Sequence, residues 1–297
     1  MAFHRWKPTA WLRIYGEDAA AFLQGQFTND LRGLAVGDGR YGLWLSVKGK
    51  VLADSFVIRG AGKGEFWVGS YFSPAAVIRE RLEGYIIADD VTMVDETEAW
   101  TGMSLLGEVG EQIAGLGADN ESPRVFFRGR RGGGEGFEVM SRVDDGAVLP
   151  ARLAQLTSMA DELTAEEMAR RRIAAGIPAV PVDVGPGDLP NEAGLEAEAI
   201  SYTKGCYLGQ EVMARLKSMG QVRRRLLRVR GAGAAPTELP AALVAGERRV
   251  GEVRSAVAEG NGGWIGLAMI SLIAAGGATE LTLAGPSEQK VGLVDPL

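Results

Sequence analysis

Cys206 is the single cysteine and His4 the single histidine in 297 residues. A thiol acts as a nucleophile or metal ligand in its thiolate form, so its surroundings decide what it can do. Cys206 lies in the segment from Thr203 to Lys217, TKGCYLGQEVMARLK. Leu208, Val212 and Leu216 recur four apart, which predicts a helix from about Tyr207. Glu211 and Arg215 form an i, i+4 pair on that helix. Cys206 is then expected near a helix N-terminus and two residues after Lys204. The helix dipole and the ammonium both favour a thiolate. The opposing reading is a buried, inert cysteine. Gly205 before it and the polar Gln210-Glu211 pair after it speak against a plain core position.

The two rare residues also exclude chemistry. A Cys–His or Ser–His pair would have to recruit His4. A Cys/His zinc site lacks ligands. An iron–sulfur cluster held by this chain alone lacks thiolates, since about four are needed. No disulfide can form within the chain, which fits a reducing cytosol. The N-terminal MAFHRWKPTAWLRI has no apolar signal core. A cytoplasmic protein without nucleic-acid or membrane partners is expected, in keeping with a net charge of −6. The least charged stretch, Asn261 to Thr279, is broken by glycines and reads as a buried strand and a short helix.

Other motifs carry less chemistry. GAGKGEF has glycines at phosphate-loop density, but no Ser or Thr follows the lysine and two strands flank it, so a hairpin is expected. Arg223, Arg224, Arg225, Arg228 and Arg230 crowd one stretch. They read either as the solvated face of a strand or, with Lys204, Arg215 and Lys217, as an anion site. The acidic pairs Asp89-Asp90 and Glu166-Glu167 are adjacent in sequence and so do not face each other.

The elements that must position these residues follow from patterning. The 42 glycines are about twice the roughly 20 of average usage and cluster in turns between apolar runs. Glu17 to Leu23 reads as a helix. YGLWLSV, VLADSFVIR and EFWVGSY, parted by Lys48-Gly49-Lys50 and GAGKG, read as an antiparallel meander. Ser73 is expected to cap a helix that begins at Pro74 and buries Val77, Ile78 and Leu82. VTMVDE, WTGMSLL, VFFRGR and FEVMSR are strands, with a turn at Gly132-Gly133-Gly134 and a helix at Glu108 to Leu116. Ala151 to Ala175 is helical, with a capping box of Thr164 and Glu167 and a stop at Gly176. LLRVR, RRVGEVRSAV, WIGLAMI and ELTLAG read as a small barrel or sandwich after a boundary near Gln221. Antiparallel strands with segregated helices make the fold α+β.

KGCYLGQE resembles the signature of the YgfZ-type tetrahydrofolate-binding proteins, through Lys204, Gly205, Cys206, Tyr207, Gly209, Gln210 and Glu211. FLQGQFTND (Phe22 to Asp30), KGKVLAD (Lys48 to Asp54) and LPNE (Leu189 to Glu192) resemble that family in order and spacing. The family is related to the aminomethyltransferase of the glycine cleavage system. The resemblance implies three subdomains in a ring around a central folate channel, with a C-terminal β-barrel. It implies a folate-binding region 1–220 of two interleaved α+β subdomains, with the meander 40–142 inserted in the first, and a small barrel 221–297. It implies a tetrahydrofolate or one-carbon derivative as cofactor and iron–sulfur client or assembly proteins as partners. The role implied is support of iron–sulfur protein assembly or repair by a weakly catalytic or non-catalytic factor. The alternative is a folate-dependent aminomethyl or one-carbon transferase. A thiol redox role lacks a resolving cysteine. Cys206 and Lys204 are the implied reactive pair. Asp54, Asn29, Arg172, Glu192, Tyr207, Gln210, Glu211 and Arg223 are the implied folate contacts. One position departs: Arg172-Ile173-Ala174-Ala175-Gly176 carries Ala174 where the family has a glutamate that accepts from the pterin.

Overall fold

The computed structural model describes residues 1–107, 124–134, 136–145, 151–260, 262–278, 280–285 and 289–296. The expected helix at Glu108 to Leu116 lies outside the described residues.

In chain order the first elements are β1 (Ala2–Trp6), β2 (Ala10–Tyr15) and α1 (Ala19–Gln26). The meander follows as β3 (Gly39–Leu45), β4 (Val51–Arg59) and β5 (Phe66–Ser70), and then α2 (Ala75–Glu83). After these come β6 (Thr92–Asp95), β7 (Trp100–Leu106), β8 (Arg124–Arg128) and β9 (Gly136–Arg142). The next stretch holds α3 (Ala151–Ser158), β10 (Asp161–Glu162), α4 (Ala165–Ala174), α5 (Glu196–Ala199) and α6 (Gln210–Met219). The last unit holds β11 (Arg224–Ala232), β12 (Ala241–Ala245), β13 (Arg248–Ala258), β14 (Gly263–Ser271), α7 (Leu272–Ala275), β15 (Glu280–Leu283) and β16 (Gln289–Leu293).

These make two five-stranded sheets and a closed six-stranded barrel. One sheet runs β10-β1-β7-β9-β8 and the other β3-β4-β5-β2-β6. The chain starts in the first sheet, makes the second, and returns at Trp100. Strands within 40–142 divide between the two sheets, and β1 and β2 each supply an interior strand to a different sheet. The second sheet is covered on one face by α1 and α2, through Phe22, Leu23, Ile78 and Leu82. Its other face meets the first sheet across an aromatic seam. Trp11 stacks on Trp67 at 5.6 Å and lies 6.2 Å from Phe127. Burying such rings supplies much of the packing energy. The barrel closes around its own core of Val229, Val253, Trp264 and Leu281. Its strands match the small-barrel expectation, and β14 with α7 fill the stretch read as a strand and short helix.

The capping box of Thr164 and Glu167 is formed at the start of α4. At α2 the expected cap is not made. Pro74 is the N-cap residue, and the Ser73 hydroxyl is turned inward to Asp54. The buried face of α2 is Ala75, Ile78, Arg81 and Leu82, with Val77 exposed. Among the described residues, no helix is long and apolar enough to cross a membrane.

Candidate functional site

Two carboxylates lie deep between the sheets. Along β4, alternation puts Asp54 on the same side as Phe56 and Ile58, which belong to the seam. Asp54 is 3% exposed. Its Oδ1 accepts from Ser70 Oγ at 2.8 Å and Ser73 Oγ at 2.7 Å. Its Oδ2 accepts from the Tyr41 hydroxyl at 2.9 Å. Burial raises the Asp54 carboxyl above its ordinary range, against the pull of the hydroxyls and of Arg130. The Arg130 guanidinium covers the Tyr41 ring at 4.0 Å and is paired with Glu198 beside it.

Glu138 on β9 is the second, 1% exposed. It accepts from the Tyr71 hydroxyl and Ser104 Oγ, each at 2.7 Å, and from Trp6 Nε1 at 3.0 Å. Burial raises its carboxyl too, with Arg131 acting in the other direction. Arg131 lies 4.7 Å from the Tyr71 ring centre and 5.6 Å from that of Phe72. On Phe72 as well, at 5.8 Å, sits Arg172, whose Nη1 donates to Asp183 Oδ2 at 2.6 Å. Arg131 Nη1 and Asp183 Oδ1 are buried without a hydrogen-bond partner among the described residues. An unmatched donor and an unmatched acceptor thus accompany the two guanidinium groups on Phe72. Buried polar atoms left so are uncommon in folded proteins.

Cys206 is at the surface. The expected helix start is corrected here: α6 begins at Gln210, four residues after the cysteine, because Gly209 turns the chain at φ 86°. A side chain at Gly209 would come within 3.0 Å of the Ser46 carbonyl and 3.3 Å of Leu45 Cβ. Gly49, at φ 69°, in turn leaves room for Val212 and Met213 of α6. The Lys48-Gly49-Lys50 hairpin is therefore seated under the start of that helix. Lys204 is not directed at the thiol as a free ammonium. It is 4% exposed, and its Nζ donates to the carbonyls of Gln24 and Phe27 at 2.6 Å and of Asn29 at 2.9 Å. Three N–H groups meet three carbonyls, and burial lowers the ammonium to about 8. Its evident work is to clamp the thiol loop to the end of α1.

Asn29 joins the two places. Its Nδ2 donates to the Tyr41 and Glu198 carbonyls, each at 2.9 Å, while its own carbonyl receives Lys204. Asp54, Tyr41, Asn29 and Lys204 thus form one connected set. The remaining expected contacts scatter. Both oxygens of Glu192 are engaged by Arg224, at 2.9 and 2.8 Å. Arg172 ties α4 to Asp183 and to Ser255 of the barrel. Tyr207 is buried, with its hydroxyl unpartnered among the described residues. Gln210 is half-buried, and Glu211 is exposed in the expected pair with Arg215 at 3.0 Å. In the arginine stretch, Arg224, Arg228 and Arg230 pair with Glu192, Asp295 and Glu259. Arg223 and Arg225 are exposed. Sequence reasoning missed Tyr41, Tyr71, Arg130, Arg131 and Glu138. The signal for the arginines was the pair before Gly132-Gly133-Gly134, read only as a turn.

The class follows from two stretches of the chain. Residues 8–119 match the GCVT N-terminal domain, and residues 223–296 match the CAF17 C-terminal beta-barrel domain. Over 99% of this chain and 85% of the other, the fold superposes on aminomethyltransferase T of the Bartonella henselae glycine cleavage system, with a TM-score of 0.78. At 17% identity that likeness shows the fold alone. The human mitochondrial iron-sulfur cluster assembly factor IBA57 is 30% identical over 279 residues, covering 87% of this chain and 74% of that protein. The mouse IBA57 is 31% identical over 254 residues, 79% and 68% respectively. The tRNA-modifying protein YgfZ of Edwardsiella ictaluri is 28% identical, covering 85% and 76%. The chain belongs to the IBA57/YgfZ family.

Proposed function

We propose that this protein is a tetrahydrofolate-binding factor that supports assembly or repair of iron–sulfur proteins through Cys206. The observation that carries this reading is the presentation of the thiol. It is exposed on a loop fixed from beneath by Lys204 and Gly209, in a chain whose relatives include iron-sulfur cluster assembly factors. One thiol can supply one of the roughly four ligands a cluster needs, so the others come from a partner protein or a small thiol. The interior suits a folate. A pterin carries several N–H donors and ring nitrogens, which call for buried acceptors and donors between aromatic faces. Asp54, the free oxygen of Asp183, Arg131 Nη1 and the faces of Phe72 and Tyr71 offer that set. Bound folate would supply one-carbon chemistry; the residues named hold and orient it. Asp183 offers a buried acceptor although position 174 is alanine.

The decisive experiment is rescue of iron–sulfur enzyme activity in cells lacking the protein. Cys206→Ser should fold, bind reduced folate as the wild type does, and fail to rescue. Full rescue by the serine variant would reject the thiol role and favour the one-carbon transferase, for which the buried Asp54 is the supporting feature.

A further inference from the structure

At the rim where the two sheets meet, away from Asp54 and Cys206, lies a cavity of ≈ 590 Å³. That is within the usual size of small-ligand sites, about 300–1,000 Å³. Its walls include Phe126 and the largely buried indoles of Trp67 and Trp100, whose rings lie 4.9 Å apart and both pack on Trp11 behind them. Among the described residues, four arginines and two glutamates line it. Glu96 is divided between two of these, Arg13 at 3.0 Å and Arg142 at 3.1 Å. Glu65 is 3.9 Å from Arg13, and its Oε2 receives the Gly62 amide. Arg59 donates to the Glu65 backbone carbonyl and covers the Phe66 ring, with no carboxylate partner among the described residues. The cavity therefore combines aromatic walls with the guanidinium of Arg59, which no carboxylate holds among the described residues.

We infer that this cavity is a second ligand site, for a flat aromatic ring bearing a phosphate or carboxylate, with Arg59 as its anion-binding residue. Aromatic walls take the ring, and a guanidinium takes a planar anion through paired N–H donors. Nucleotides and the aminobenzoyl-glutamate portion of folates share this chemistry. Nothing in the assignment depends on the thiol or on Asp54.

The test is calorimetry on the full chain with AMP and with p-aminobenzoylglutamate, followed in parallel by tryptophan fluorescence. Adenosine and inorganic phosphate are the controls. At least one of the two aromatic anions should bind saturably, quench the indoles, and exceed both controls by about tenfold, the scale of one charge-assisted hydrogen bond. The preferred anion identifies the source. Arg59→Gln should weaken binding by about tenfold with an unchanged melting temperature, and Asp54→Asn should leave it as in the wild type. Absence of saturable binding by both anions up to about 1 mM would overturn the proposal. So would binding that survives Arg59→Gln or that is lost in Asp54→Asn, which would send the anion to the interior instead.

Discussion

The interior carboxylates and the surface thiol are built in opposite ways. Asp54 and Glu138 are almost wholly enclosed, and each is met by three donors. Cys206 is open to solvent, and the lysine next but one in sequence is buried instead. In the first region the polar group is fixed by its own hydrogen bonds. In the second it is left free while its support is fixed. An enclosed polar set suits a small molecule held for long. An exposed group on a rigid loop suits a macromolecular partner that must reach it.

The sharpest way to break this contrast is to remove a support. Glu138→Ala leaves the Trp6, Tyr71 and Ser104 donors and the Arg131 charge without their acceptor. It should cost about 3 kcal/mol or more in urea unfolding. Lys204→Met should cost about 2 kcal/mol by orphaning three carbonyls. It should also expose the amides around 201–208 to hydrogen exchange, with little effect on exchange in the barrel. If the thiol loop stayed protected, the clamp would not be its support.

A smaller effect is the pH dependence that the buried Asp54 confers. Burial raises the Asp54 carboxyl, so the folded state holds that proton more tightly than the unfolded chain. Its contribution favours folding at low pH and is lost as pH rises through the raised value. Melting curves of wild type and Asp54→Asn should therefore draw together, or cross in favour of the variant, as pH rises above the ordinary carboxylate range near 4. A constant difference would mean that Asp54 titrates alike in both states. The smallest effect is expected at the surface. Cys206→Ser should change stability by less than about 0.5 kcal/mol, as exposed substitutions do. A larger loss would make the cysteine a packing residue.

Much of the architecture was legible because its signals are local. Alternation gave the meander, Thr164 and Glu167 gave a capping box, and spaced glycines gave the barrel strands. The division of strands 40–142 was not legible, since β1 and β2 reach their partners across the whole N-terminal half. At the site, Asp54 and Cys206 were visible from motifs. Ser73, read as a cap, binds Asp54 instead, because a buried carboxylate in reach is a stronger partner than a helix end. The helix start slipped by three residues because apolar spacing cannot reveal that Gly209 sits at positive φ. Arg130, Arg131 and Glu138 stayed hidden because their roles depend on rings supplied by other strands.

The clamp under the thiol has a consequence for biogenesis. Lys204 reaches carbonyls 175 to 180 positions earlier in the chain. Contacts of such separation form late, after the loop between them has been closed. A chain that has lost or misfolded its first thirty or so residues keeps the cysteine but not the platform that displays it. The exposed thiol loop thus certifies that the opposite end has folded, and a partner that recognises the displayed loop would pass over incomplete copies.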